Sequence, residues 1–416
     1  MVAHNPRMLP NELLLEIGKL LPTSVLLRLV TLGNKALHEI YRPILYRDVK
    51  LESKEALNAF CATVWSQELL SMVKHLFVDY DIIGHYPQTC EQEVRGTRSR
   101  IVLSQLHALE TLHFYGDLFM INMDDWTNSE PRLRSFGCHH DNIWALDSIP
   151  HFKRARSGID ELIIRPPCSP TRVLYKTLPS IHLPALRHFS GPASMVPAVI
   201  PGSEASAERW SIKWDLPDAY PWHRITIHEP VPPGAIRVNP TDCLVHLAKY
   251  ESKVKRLFNT LDGWESLSPM QVAEYLPHLE ELHFENIIDR RKYADHRLRD
   301  MRRFLDALLQ ALPTFDRLTT MAVLDFEHPP NPPRDAAKDL LVFHYECNLL
   351  WRWTELCPSL VDVILLSGMR CRLLEGEWRI VDSEGVPDDH VGRTVSAVFE
   401  GYFEGNSAVS VDELPY

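Results

Sequence analysis

The amino-acid sequence predicts an α/β protein: an N-terminal three-helix unit followed by an irregular α/β solenoid built from helix-then-strand repeats. Three observations predict it. Leucines and isoleucines between Leu9 and Val49 recur at helical spacing between proline and glycine breaks. A short phrase, Leu-x-x-Leu-x-x-Leu-x-Phe, then returns along the chain, and its second half alternates like a half-buried strand. Segments with one apolar helical face precede the later copies of that phrase.

Pro10 and Asn11 announce the first helix, which carries Leu13, Ile17, Leu20 and Leu21 on one face and stops at Pro22. Thr23 or Ser24 can cap a second helix bearing Val25, Leu26, Leu29 and Val30, closed by Gly33. A third segment runs through Leu37, Ile40 and Tyr41 to Pro43, Ile44, Leu45 and Tyr46. A unit of roughly 50 residues cannot bury so many leucines internally, so part of this apolar surface needs a partner.

The run Leu9-Pro10-x-Glu12-Leu13-Leu14-x-x-Ile17, then Leu20-Leu21-Pro22, Leu26-Leu27-x-Leu29 and Pro43-x-Leu45-Tyr46-Arg47, resembles an F-box. The likeness is to the fungal style, whose last segment ends in Leu-Tyr-Arg, and it covers residues 1–50. It implies the substrate-recognition subunit of an SCF-type (cullin RING) E3 ubiquitin ligase, a non-catalytic receptor. Leu9, Pro10, Glu12, Leu13, Ile17, Leu20, Leu26, Leu29, Leu45 and Tyr46 would then dock a Skp-type adaptor and its cullin complex. Where many F-boxes carry Trp in the third helix, this chain has Ala36 or Leu37, which implies a weaker or repacked adaptor contact there.

The repeated phrase reads Leu106-x-x-Leu109-x-x-Leu112-x-Phe114 and, in the same form, Leu276-x-x-Leu279-x-x-Leu282-x-Phe284. Variants begin at Leu183, Phe315 and Cys357, with weaker echoes at Val73, Leu133 and Ile159. The central apolar residues 109, 133, 159 and 186 are 24, 26 and 27 apart, and 279, 318 and 360 are 39 and 42 apart. The shorter steps match a leucine-rich repeat period, and the longer ones leave room for an extended helix. The chain thus resembles the degenerate leucine-rich repeats of many F-box proteins, although the Asn or Cys that usually caps each repeat is mostly missing. A generic α/β sheet domain with leucine-rich strands is the alternative.

Between the phrases, Ser53 can cap a helix continuing to Leu69. Ser268-Pro269-Met270-Gln271 has the form of a capping box with Pro at the first helical position. Leu298, Met301, Leu305, Leu308 and Leu312 form one helical face before a strand at 318–326, and a helix from Asp335 to Leu356 precedes a strand at 360–366. The proline-rich region 191–245 reads as irregular connections around short strands at 210–214 and 225–228, and His328 to Pro333 reads as a loop. The resulting division is an adaptor-binding domain at 1–50, a linker helix at 51–70, a substrate-binding domain at 71–371, and an acidic cap or tail at 372–416.

The net charge of −11 is unevenly placed. From Val381 to Tyr416 eight acids face Arg393 alone, a charge of −7, which leaves about −4 for the rest. Neither nucleic acid nor an anionic membrane is therefore an expected partner. Glu12, Glu16 and Lys19 interrupt the only apolar run near the start, so no secretory signal is read there. No run of apolar residues is long enough for a membrane span. The eight cysteines show no CxxC pair. These features favour reduced thiols in the cytoplasm and/or nucleus.

The sequence offers few candidates for chemistry. Cys138-His139-His140-Asp141 places four metal-ligand types in four residues, but adjacent side chains diverge, whereas structural zinc ligands are spaced two to five apart. Phosphate-cradling, dinucleotide-binding, zincin and serine-hydrolase elbow motifs are absent. No catalytic residue, metal or cofactor is expected, and the sequence singles out no particular substrate contact. The run Asp289 to Arg303 carries a net charge of +4 and reads as a solvated helix face that could also meet an acidic partner. Two readings of other classes remain beside the ligase receptor. One is an interaction scaffold without ligase function, and the other an enzyme with a site assembled from residues such as His139, His140 and Asp141.

Overall fold

The structure is a computed structural model that describes residues 11–31, 35–63, 67–79, 101–102, 106–115, 121–122, 132–139, 143, 150–165, 181–199, 208–214, 240–249, 253–261, 263–287, 294–325 and 336–381. The chain divides into two compact units, Met1–Cys168 and Ser169–Tyr416. Both are α/β, as the sequence predicts.

The first unit opens with three helices, α1 (Asn11–Leu20), α2 (Thr23–Thr31) and α3 (Lys35–Leu45), and passes into β1 (Asp48–Leu51). It continues with α4 (Lys54–Thr63), α5 (Gln67–Leu70), β2 (His75–Asp79), β3 (Ile101–Val102), β4 (Thr111–Tyr115), β5 (Ile121–Asn122), β6 (Ser135–His139), α6 (Pro150–Ala155) and β7 (Glu161–Arg165). Strands β1, β2, β4, β6 and β7 pair in that order, all parallel, while β3 and β5 form a separate parallel pair.

The second unit contains β8 (His188–Pro192), α7 (Val196–Val199), β9 (Arg209–Trp214), α8 (Pro240–Ala248), β10 (Arg256–Leu261), α9 (Pro269–Tyr275) and β11 (Glu281–Asn286). It ends with α10 (Ala294–Ala311), β12 (Thr320–Asp325), α11 (Ala336–Leu356), β13 (Asp362–Ile364), β14 (Arg370–Leu374) and β15 (Glu377–Val381). Strands β8 to β13 are parallel neighbours, and β14 and β15 close the array with antiparallel turns.

One hydrogen-bond device recurs at the starts of most parallel strands. The two N–H groups entering β4, those of Glu110 and Thr111, both donate to the Lys74 carbonyl. Arg134 and Ser135 donate to Glu110 in the same way, and Asp160 and Glu161 to Arg134. The second unit repeats the arrangement, with Glu280 and Glu281 on Lys255, Thr319 and Thr320 on Glu280, and Val361 and Asp362 on Thr319. The copies at Val73, Leu106, Leu133, Ile159, Leu276, Phe315 and Cys357 thus each deliver a strand in fixed register with its predecessor.

Alternation sorts each strand's residues. Leu76, Leu112, Phe136 and Leu162 share one register, Val78, Phe114, Cys138 and Ile164 the next, and all are buried. Phe189, Trp210, Leu257, Leu282, Met321 and Val363 are their counterparts in the second unit.

Several boundaries differ from expectation. The helix predicted from Ser53 to Leu69 is two helices, although Ser53 does cap the first through Oγ, which accepts from the Ala56 N–H at 3.1 Å. Ser268 occupies the N-cap of α9 without a side-chain bond. The capping box does not close because Gln271 Nε2 donates to Thr241 Oγ1 at 3.1 Å instead. Residue 50 lies within β1 and residue 371 within β14, so both divisions drawn at these points cut through strands. The predicted strand at 225–228, Gly33 and the 328–333 loop fall outside the described residues.

Gly18 shows how tightly α1 meets α3. A Cβ there would lie 2.7 Å from two ring carbons of the buried Tyr41 and 2.8 Å from Ile44 Cδ1. Valine is a better helix former than glycine, yet the clash decides the sign. Gly18→Val is expected to destabilise the first unit by about 1–3 kcal/mol in chemical denaturation.

Candidate functional site

Two surfaces stand out, one on helices and one on strands. The helical one lies in the three-helix unit. Leu13, Ile17 and Leu20 on α1 are 51%, 42% and 85% exposed, Val25 and Leu27 on α2 are 38% and 50% exposed, and Tyr46 is 37% exposed. Scattered exposed leucines are ordinary, but five large apolar side chains on two successive short helices form a concentrated set.

The structure distributes the sequence-predicted residues unequally. Leu13, Ile17, Leu20 and Tyr46 are on the surface, whereas Leu29 and Leu45 are half-buried. Leu26, expected on the docking face, is buried instead, because adjacent residues on a helix cannot share one face. Its neighbour Leu27 takes the outward position, and Val25 joins it. Glu12 lies in α1, but its side chain, like Leu9 and Pro10 altogether, is outside the described residues. Ala36, one of the two residues at the position where many F-boxes carry Trp, is exposed, and Leu37 is half-buried.

This helical unit is tied directly to the strands. Tyr46 and Arg47 alone separate α3 from β1, and the Arg47 carbonyl accepts from the Lys74 and His75 N–H groups at 2.9 and 3.0 Å. Arg42 also pairs with Glu68 on α5 at 3.4 Å.

The strand surface is the polar face of the first unit's sheet. Asp79, Tyr115, His139 and Arg165 share a register on β2, β4, β6 and β7. The Arg165 guanidinium lies 3.6 Å from the Tyr115 ring centroid and donates to the buried Asp79 carboxylate at 2.8 Å. Three strand spacings separate those two residues, roughly 14 Å, so both side chains lean over the intervening rings. Gly137 gives the rings their room: a Cβ there would meet the His113 ring and the Tyr115 hydroxyl at 2.8 Å. Burial pushes the Tyr115 phenol up to about 12 and lowers the His113 imidazole.

His113 Nε2, Ser135 Oγ and Glu161 Oε2 form a chain across β4, β6 and β7. The serine is its middle member. Its hydroxyl donates to the carboxylate and accepts from the imidazole, so the histidine does not stand ready to take the serine's proton. The chain fixes side chains rather than activating a nucleophile. Cys138 and His139 project to opposite faces of β6, Cys138 into the core row and His139 beside Tyr115, which separates the first two ligands of the metal candidate. His140 and Asp141 are outside the described residues, and no group of three metal ligands converges among those described. Cys138, Cys243, Cys347, Cys357 and Cys371 are buried, and burial raises each thiol pKa, which disfavours thiolate chemistry at these five.

The second unit has a comparable polar face. Arg209 stacks 4.3 Å from the Phe258 ring centroid, and the Phe258 and His283 rings are 4.3 Å apart. His283 Nε2 and Arg256 Nε pair with the two Glu281 oxygens at 3.0 and 3.4 Å. At the far strands Asp362 accepts from Arg370 and Arg372, with closest approaches of 2.6 and 2.7 Å. Burial alone would raise the Asp362 carboxyl, but the two arginine bonds outweigh it and the pKa falls below its ordinary 3.8. A depressed carboxylate stabilises the fold above its unfolded pKa and loses that contribution as pH falls through the folded value. The stability difference between wild type and Asp362→Asn is therefore expected to be full above about pH 5 and to shrink progressively below about pH 4. Urea denaturation across that range measures it.

No helix among the described residues is long and apolar enough to cross a membrane. No protein-family model matches this sequence, and no curated protein matches it.

Proposed function

We propose that the chain is the substrate-recognition subunit of an SCF-type ubiquitin ligase, docking a Skp-type adaptor through α1 and α2 and recruiting a protein substrate through its strand repeats. One observation carries this reading: the exposed apolar set Leu13, Ile17, Leu20, Val25 and Leu27 lies within the stretch that resembles an F-box. Their exposed portions add up to fewer than three fully exposed side chains, at roughly 1.5–3 kcal/mol each. That total, about 4–8 kcal/mol, reaches the lower range of association costs, about 4–15 kcal/mol, so the set contributes to a complex completed by further contacts.

The sequential parallel order of the strands and the shared hydrogen-bond device at their starts support the finer reading of the body as a degenerate leucine-rich-repeat solenoid. Such a chain acts without chemistry of its own, raising the local concentration of substrate lysines near a ubiquitin-loaded enzyme. The short α3–β1 junction favours this, since it leaves no long flexible segment between docking helices and the first strand.

Affinity capture of the full chain from a cell extract tests the proposal. Recovery of a Skp-type adaptor and a cullin, lost with Leu13→Glu/Leu20→Glu, supports it. Capture of other proteins with no adaptor under either condition would favour the interaction-scaffold reading. Removing residues 1–50 is the poorer experiment, because it deletes most of β1.

A further inference from the structure

Two arginines on the polar faces stack on aromatic rings, and they differ in one respect. Arg165, stacked on Tyr115, donates through Nη1 to the buried Asp79 carboxylate. Arg209, stacked on Phe258, has no hydrogen-bond acceptor among the described residues. Glu281 feels its charge, but both Glu281 oxygens already face His283 and Arg256. Arg209 is therefore held by its flat face at an exposed position. A guanidinium restrained in this way loses less rotamer freedom when it binds.

Its neighbours enlarge the site. His188, Arg209 and Arg256 share one register on β8, β9 and β10, and all three are exposed. Adjacent strands are about 4.8 Å apart, so the two arginines stand side by side and repel unless an anion lies between them. From β8 to β14, the first two registers of this face hold Arg209, Arg256, Arg370 and Arg372 against Glu281 and Asp362. The face is thus locally positive within a chain of net charge −11. Repulsion from the distant acids is screened beyond about 8–10 Å at physiological ionic strength, so the local arginines decide what binds.

We propose that the His188–Arg209–Arg256 row is a recognition site for oxyanions, carboxylate or phosphoryl, carried by an extended acidic peptide. Planar guanidinium forks suit both groups, and charge-assisted bonds to them are the strong ones. The proposal rests on the reading of these strands as the receptor part of the chain, and it is independent of adaptor docking.

The test uses the purified full chain and four probes in fluorescence anisotropy: a hexaglutamate peptide, a phosphoserine peptide, its unphosphorylated form, and inorganic phosphate as competitor. Saturable binding of an acidic probe is expected, weakening with salt and falling at least tenfold in Arg209→Ala/Arg256→Ala. The ratio between glutamate and phosphoserine peptides identifies the preferred oxyanion. Absence of saturable binding, or binding unchanged in the double variant, overturns the proposal. Should the double variant unfold, Arg209→Lys keeps the charge but loses the stacked fork; severalfold weaker binding supports the site and unchanged binding overturns it. Leu13→Glu/Leu20→Glu should bind the peptide like wild type, so failure of adaptor docking and failure of this site are separable.

Discussion

Phe304→Ala is expected to destabilise the second unit by about 3–5 kcal/mol, the range for truncating a buried phenylalanine. Phe304 is buried on α10, with its ring 4.6 Å from that of Trp264 and 4.9 Å from that of Phe284. The Phe284 contact is edge-to-face at 81°, the arrangement that pairs a positive ring edge with a negative ring face. Phe284 belongs to β11 and Trp264 to the segment between β10 and α9, so one side chain joins a helix to the sheet and to a connection. Alanine would leave a cavity against two large rigid rings, which cannot collapse into it. Thermal unfolding should fall by about 2–4 °C per kcal/mol for a unit of this size. Arg303→Ala next door, at an exposed side chain, should change stability by no more than about 0.5 kcal/mol and serves as the control.

Asn259→Ala is expected to cost about 2–5 kcal/mol for a different reason. The side chain is buried on β10 and bonded at both ends: its oxygen accepts from Trp214 Nε1 at 2.8 Å, and its Nδ2 donates to the His283 carbonyl at 3.0 Å. The asparagine thus bridges β9 and β11. Its loss strands a buried indole N–H and a carbonyl, each costing about 1–3 kcal/mol, and opens a small cavity as well. Asn259→Asp should also destabilise, since a carboxylate supplies no N–H for the His283 carbonyl and places a charge in the core. Urea denaturation of the three proteins checks both statements.

These two residues illustrate what the sequence reveals. Phe284 and the leucines around it were legible, because the phrase alternates and the alternation maps onto inward strand positions. The helix face before β12 was legible from its three- and four-residue spacing, and the helix before β13 from its span. Asn259 was not. It interrupts an inward register between Leu257 and Leu261, and only the neighbouring strands reveal the partners that make a buried amide tolerable. The stacked arginines were equally hidden. Arg165 meets Asp79 across 86 residues of sequence, and that meeting depends on the register of four strands and on the clearance at Gly137. The three-helix unit lies between these cases. The apolar excess of the Leu9–Val49 stretch showed in the composition, but which of Leu26 and Leu27 faces outward was decided by how the three helices pack.

The exposed face of α1 and α2 is the centre of the account, and Leu20, at 85% exposed, is its most open position. Glutamate there should leave the fold intact while placing a charge at the middle of any apolar interface. The direct measurement is titration of a purified Skp-type adaptor against the wild-type chain and Leu20→Glu, with the unfolding midpoint of each recorded. Stoichiometric binding by the wild type is expected, with its loss in the variant at an unchanged midpoint. Equal binding by both proteins, or binding by neither, would contradict it.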